Sequence, residues 1–164
     1  MNILRASSAL VAAAMFLATT GQTAAAATAT ANVGVSATVQ ATCSVSASPL
    51  AFGTYSSAQL DGSTNLSVSC TNGTTYTIAL DAGTGAGATT TSRVLTGPSS
   101  ATLGYTLYSN AGRTSVWGVT TGTDTVGGSG NGSAQTISVY GRITSGQLPT
   151  PGSYADTVTA TLTY

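Results

Sequence analysis

The groups that do chemistry are scarce in this chain of 164 residues, and the scarcity directs the reading. There is no His, no Glu and no Lys. The usual general bases are therefore missing, and a serine nucleophile would lack its activating partner. The carboxylates are Asp61, Asp81, Asp124 and Asp156. Asp61, Asp81 and Asp124 stand in turn-like contexts, where an Asp normally bonds the local backbone, so an active site built on Asp pairs is not expected. Arg93, Arg113 and Arg142 are the cations after Arg5. Three scattered arginines cannot displace the counterions of a phosphate backbone, which excludes nucleic acid as a partner. They are expected to be exposed and individually replaceable, because exposed ion pairs contribute only about 0–1 kcal/mol. Arg142 has the best claim to a specific role.

Two glycine-rich stretches invite a nucleotide or calcium reading. Gly83-Thr84-Gly85-Ala86-Gly87 is not followed by Gly-Lys-Ser/Thr or by a helix pattern. Gly127 to Gly132 contains no Asp. Both are read as loops. Trp117, the single tryptophan, could stack on a sugar, but packing in a core or loop is the favoured reading. The expected result is a non-enzyme with no cofactor and no metal.

The first stretch of the chain should not be counted as fold. A basic start ends at Arg5, an apolar run covers 9–18, and small residues close it at 24–27. These are the marks of a secretory signal peptide. The apolar run is shorter than the about 20 residues that a membrane-spanning helix needs. Residues 1–26 are assigned to the signal peptide, which leaves about 138 residues, enough for one domain. In an exported chain, the two cysteines, Cys43 and Cys70, read as a disulfide. Two free thiols or a metal pair are the alternatives, and a two-cysteine site without His or Glu is a poor metal site. Closing the loop should stabilise by about 3–4 kcal/mol.

The elements follow from periodicity. From Ala29 to Val45 every odd position is apolar or Cys, and every even position is polar or Gly. Unbroken period-2 alternation over 17 residues means one apolar and one polar face on an extended chain. Strands usually run 3–10 residues, so this is one very long strand, or two strands that share a phase and serve different places. Leu50-Ala51-Phe52-Gly53 is a short apolar piece. Further alternating runs cover 66–70, 76–80, 103–107, 137–139 and 158–164, with a brief Arg93-Val94-Leu95-Thr96. Turn signals stand at Asp61-Gly62, Asn72-Gly73, Gly83 to Gly87, Asn110-Ala111-Gly112 and Gly127 to Gly132. Short alternating strands with Gly-rich turns predict an all-β sandwich, with Cys43 and Cys70 on the apolar phase of their strands.

These residues resemble a known family. Ala41-Thr42-Cys43-Ser44-Val45, Leu50-Ala51-Phe52-Gly53-Thr54-Tyr55, Leu66-Ser67-Val68-Ser69-Cys70, Tyr140-Gly141-Arg142-Ile143 with Gln147, and the closing Gly152 to Tyr164 are similar to the spore coat protein U domain. That domain is shared with major subunits of archaic chaperone–usher pili. The resemblance implies an incomplete immunoglobulin-like β-sandwich completed by a donated strand, an addition at an exposed sheet edge. It divides the exported chain into a donor extension over 27–40 and the sandwich over 41–164. The donor face would be Ala31, Val33, Val35, Ala37 and Val39. The implied partners are copies of the chain or related pilin subunits, a periplasmic chaperone and an outer-membrane usher. The implied destination is the cell surface, as pilus or extracellular coat, in adhesion and biofilm formation. A secreted carbohydrate-binding β-sandwich adhesin is the alternative.

Overall fold

A computed structural model of the protein describes residue 21 and residues 24–164. Apart from residues 21 and 24–26, the expected signal peptide lies outside the described residues. The chain divides at Ala37 and Thr38 into two units. In the first, residues 24–37 carry neither helix nor strand and are exposed throughout. The alternating run thus enters a ladder only at its end, where β1 (Cys43–Ala47) begins.

The second unit is an antiparallel sandwich. After β1 come β2 (Leu60–Cys70), β3 (Thr75–Leu80), β4 (Arg93–Thr96), β5 (Thr102–Tyr108), β6 (Val126–Ser129), β7 (Ala134–Ile143) and β8 (Ala160–Thr163), with one short 3-10 turn at Pro98–Ser100. One sheet has the order β1-β2-β7-β5-β4, the other β6-β3-β8. The pattern of buried residues is the alternation of the sequence made physical. Leu66, Val68 and Cys70 of β2, Tyr76, Ile78 and Leu80 of β3, and Leu103, Tyr105 and Leu107 of β5 face one shared core. Each such side chain contributes about 1.5–3 kcal/mol on burial.

Cys43 and Cys70 are directly opposite in the β1–β2 register and are joined by a disulfide. Trp117 is fully buried in this core, and its Nε1–H donates to the Ile78 carbonyl at 2.9 Å. No face of the ring remains for a sugar.

Four expectations from sequence are corrected here. Asp61-Gly62 is no turn but lies inside β2, paired with Arg142 and Gly141 of β7. Asp61 there takes two hydrogen bonds from Arg142, at 2.7 and 3.0 Å, so it bonds a side chain on a neighbouring strand. Gly127 and Gly128 belong to β6, opposite Thr77 and Tyr76 of β3, and residue 128 is glycine where the Tyr76 ring comes within 2.5 Å of the place a Cβ would take. Arg93, expected on the surface, is completely buried. Its Nε donates to the Asp81 carbonyl at 2.8 Å, Nη1 to Thr90 at 2.7 Å, and Nη2 to Leu80 at 3.0 Å and Trp117 at 2.7 Å. From β4 it thus ties down the end of β3 on the opposite sheet. Burial pushes this guanidinium below its usual range, partly offset by Tyr105, Asp81, Asp156 and Asp124.

Candidate functional site

The two sheets do not close on each other everywhere. β1 is an edge of the large sheet and β8 an edge of the small one, and they lie alongside each other. Beyond them the seam opens into a cleft. One lip is the segment after β1, the other the segment leading into β8.

The first lip is positioned by a pair of glycines. Gly62 and Gly141 face each other in the β2–β7 ladder. A Cβ at Gly141 would stand 2.7 Å from the Phe52 ring, and one at Gly62 would stand 3.2 Å from both Leu50 and Phe52. The sheet therefore has a hollow at this point, and Leu50 and Phe52 fill it. Anchored by those side chains, the backbone of residues 49–54 makes no hydrogen bond to the main chain among the described residues. Its end is held by Tyr55, whose hydroxyl donates to the Thr144 carbonyl at 2.8 Å and accepts from Gln147 N–H at 3.1 Å. Gln147 in turn acts as a strand partner for Gly104. Its Oε1 accepts from that residue's N–H at 2.6 Å, and its Nε2 donates to the carbonyl at 2.8 Å.

The second lip crosses from one sheet to the other. Ala155 bridges Thr96 at the end of β4, with hydrogen bonds of 2.9 and 3.1 Å. Four residues later Thr159 joins β3, where its carbonyl accepts from Asp81 N–H at 3.1 Å. Thr159 N–H donates to the Asp81 carboxylate at 2.9 Å, since the Asp81 carbonyl already takes the bond from Arg93. In an antiparallel ladder, residues that exchange bonds with a partner alternate with residues that face away. Thr159, Thr161 and Thr163 therefore address β3. The backbone groups of Val158, Ala160 and Leu162 address the open side, where no strand pairs with β8.

Asp156 sits at the crossing. Its Oδ1 accepts from Thr84 N–H at 2.8 Å, Thr84 Oγ1 at 2.9 Å and Thr157 N–H at 2.7 Å, and its Oδ2 accepts from the Tyr105 hydroxyl at 2.7 Å. Burial alone would raise this carboxyl, but those hydrogen bonds outweigh it and hold the pKa below the ordinary value. Desolvation, and then the bond to Asp156, push the Tyr105 hydroxyl far up. Both groups are fixed in one protonation state near neutrality, so they act as structural fasteners and do not exchange protons.

Between the lips the cleft has two connected parts. A narrow part of about 350 Å3 is floored by Leu66, Leu80, Leu107 and Val139. A wide part of about 870 Å3 is walled by Leu103, Ile143 and Tyr154 and by the loop 148–153. Leu50, Phe52, Leu95 and Asp156 line both. The narrow part offers mainly apolar surface, the wide part mixes polar and apolar groups, and unpaired backbone flanks the cleft on either side, which suits an extended peptide. Among the described residues no group of three or more His, Cys, Asp or Glu stands together.

The expected donor residues Ala31, Val33, Val35, Ala37 and Val39 are all exposed, with Val33, Val35 and Val39 at 84, 90 and 85%. Sequence reasoning missed Arg93 and Gln147 as architectural residues. A signal existed for Arg93, which shares the inward phase of its strand with Leu95.

The fold and its open seam define a class: a β-sandwich of immunoglobulin type, all-β and antiparallel. Within that class, the chain belongs to the Spore Coat Protein U domain family, whose sequence profile matches residues 29–161. It is 36% identical to Protein U of Myxococcus xanthus over 181 aligned positions that cover all of both chains. It also superposes on a chain from the crystal structure of the CsuC–CsuE chaperone–tip adhesion subunit pre-assembly complex of archaic chaperone-usher Csu pili from Acinetobacter baumannii. That match has a TM-score of 0.60 at 19% identity, over 77% of this chain and 41% of that one. At such identity the likeness concerns the fold.

Proposed function

We propose that this protein is a structural subunit of a secreted surface polymer, pilus or coat, and that its cleft receives the alternating run of the next copy. The observation that carries the reading is complementarity. The run from Ala29 to Val39 contains no charged residue and presents an exposed apolar face. The cleft has an apolar floor and unpaired strand backbone along its lips. Ten extended residues span about 33 Å, enough to run the length of a sandwich, and the added strand would extend the β6-β3-β8 sheet beyond β8. Ala31, Val33, Val35, Ala37 and Val39 would enter the cleft, and Asn32, Gly34, Ser36 and Thr38 would face water.

The family membership and the likeness in fold to a chaperone–subunit complex support the rest of the proposed pathway. Residues 1–26 direct export and are removed. A periplasmic chaperone occupies the cleft until an outer-membrane usher exchanges it for the donor segment. The polymer then serves adhesion and biofilm formation at the cell surface.

Side chains alternate along a strand, so neighbouring substitutions separate the two faces. Val35→Asp would bury an unpaired ion, which costs several kcal/mol. Ser36→Asp would place its charge in water. With the exported chain expressed beside its chaperone, Val35→Asp is expected to abolish polymers seen by electron microscopy while chaperone binding persists, and Ser36→Asp to be tolerated. Equal behaviour of the two variants would refute the strand-donor reading.

A further inference from the structure

The alternating run meets the sandwich at one rung. Thr42 and Thr71 stand one step beyond the Cys43–Cys70 pair of the β1–β2 register. Thr71 N–H donates to the Thr42 carbonyl at 2.9 Å, as a bonded antiparallel pair requires. The reciprocal bond to the Thr71 carbonyl is not made, because that carbonyl accepts from Thr74 N–H at 3.0 Å and closes the turn after β2. The Thr71 hydroxyl takes its place. It accepts from Thr42 N–H at 2.7 Å and donates to the Thr42 carbonyl at 3.0 Å. One side chain thus holds both backbone groups of Thr42.

The turn that carries Thr71 is itself fixed. Gly73 N–H donates to the Gly130 carbonyl at 2.8 Å, and Gly130 N–H donates to the Thr74 carbonyl at 2.8 Å. Before Thr42 the support stops: among the described residues, none of 24–41 makes a hydrogen bond between backbone groups. With Val39 as the last inserted side chain, Gln40 and Ala41 alone lie between the donated strand and the clamp. Two residues reach about 7 Å at most and hold four soft dihedrals.

We propose that Thr71 is a positioning residue that sets the length, and so the stiffness, of the joint between successive subunits. Its hydroxyl ends the free segment at Ala41. Without it the segment runs on to Cys43, where the covalent bond to Cys70 stops further fraying. The joint then grows to three residues and six soft dihedrals. This inference rests on the strand-donor reading above and gives the rung a part in the shape of the polymer rather than in its formation.

The test compares Thr71→Val, which keeps the shape and removes the hydroxyl, with Thr71→Ser, which restores it. Amide exchange is read on the full exported chain carrying Val35→Asp, so that it stays monomeric. Thr71→Val is expected to speed exchange at Thr42 about ten-fold, as for the loss of one to two hydrogen bonds, with β7 unchanged and Thr71→Ser close to the parent. Persistence length is read by electron microscopy on polymers of the chain without Val35→Asp. Bending that grows with the number of free dihedrals cuts it to about two-thirds of the parent's in Thr71→Val, and Thr71→Ser should restore it. Unchanged exchange at Thr42, or equal persistence lengths in Thr71→Val and the parent, would overturn the clamp while leaving the strand donor standing. So would loss of polymers in Thr71→Val alone, because the hydroxyl would then be needed for formation. Absence of polymers from the parent would remove the strand donor, and the joint with it.

Discussion

The buried guanidinium of Arg93 is the most consequential single side chain in the sandwich, and replacing it by Met isolates its role. Met keeps much of the apolar stem and removes the fork. Four backbone carbonyls, those of Leu80, Asp81, Thr90 and Trp117, lose their donor. They remain in place after the substitution, so this is not the exchange of a complete polar pair for an apolar one, which can be neutral. Each buried acceptor left unpaired costs about 1–3 kcal/mol. Against that stands relief from desolvating a charge that has no salt-bridge partner within 4 Å among the described residues. Two of the four bonds are buried and two partly buried. At about 1 kcal/mol for each carbonyl the gross cost is about 4 kcal/mol, and partial relief from desolvation leaves a net loss of about 2–4 kcal/mol. Domains of this size have total stabilities of about 5–15 kcal/mol.

Urea titration of the disulfide-intact chain reads this loss directly. Arg93→Met is expected to lower the unfolding free energy by about 3 kcal/mol, and the midpoint of thermal unfolding by about 12 °C at roughly 4 °C per kcal/mol. Arg93→Lys should fall between, since an ammonium has three donors and no planar fork. Arg142→Gln is the control: its pair with Asp61 is partly exposed, and screening by water leaves such a pair little to contribute. If Arg93→Met lay within 1 kcal/mol of the parent, the four hydrogen bonds would not be holding the sheets together and the reasoning would fail.

Acid should loosen the second lip of the cleft before it unfolds the sandwich. For Asp81 and Asp156, burial raises the pKa, but hydrogen bonds to the folded carboxylates outweigh it and leave both below the ordinary value. A depressed folded pKa gives stability that is present above the unfolded value of about 3.9 and is lost as pH falls through the folded one. Amide exchange at Thr157 and Thr159 should therefore accelerate below about pH 4 ahead of exchange in β2 and β7, and simultaneous acceleration would contradict this. The double change Cys43→Ser with Cys70→Ser should lower stability by about 3–4 kcal/mol on loop entropy, and free-thiol labelling of the denatured, unreduced parent should find no reactive cysteine.

How far the sequence spoke for itself varies with the range of the contacts involved. β3 and β5 were legible because burial on one face and exposure on the other is a local alternation: Tyr76, Ile78 and Leu80 in one, Leu103, Tyr105 and Leu107 in the other. The boundaries of β2 were not, since Asp61-Gly62 carries a turn's composition. What makes it strand is a partner 79 residues away: Gly141 lies opposite Gly62, and Phe52 fills the space both leave. No window of sequence contains that triple. Arg93 was misjudged for a related reason. A charged residue is expected outside unless four carbonyls from three separate segments converge on it, and convergence is a property of the fold. The cleft was foreshadowed by an alternating run too long for one strand and by the family resemblance, which implied a gap at a sheet edge; the residues that line it were not legible.

The edge of β8 bears on the strand-acceptor reading proposed above. Soluble sandwiches blunt a free edge with charge, especially Lys, with Pro, or with a bulge. From Thr157 to Tyr164 there is no charged residue and no proline. Asp156, one residue before, has its carboxylate turned inward and spent on Thr84, Thr157 and Tyr105, so it does not guard the edge. The protein instead invests its buried polar groups in keeping that edge straight: Asp81 replaces its own carbonyl in the ladder to Thr159, and Arg93 occupies the carbonyl that was displaced. An edge meant only to be tolerated needs no such support. An edge meant to pair needs its donors and acceptors at strand spacing before the partner arrives, because a pre-ordered lip spares the incoming strand the ordering cost of the receiving one.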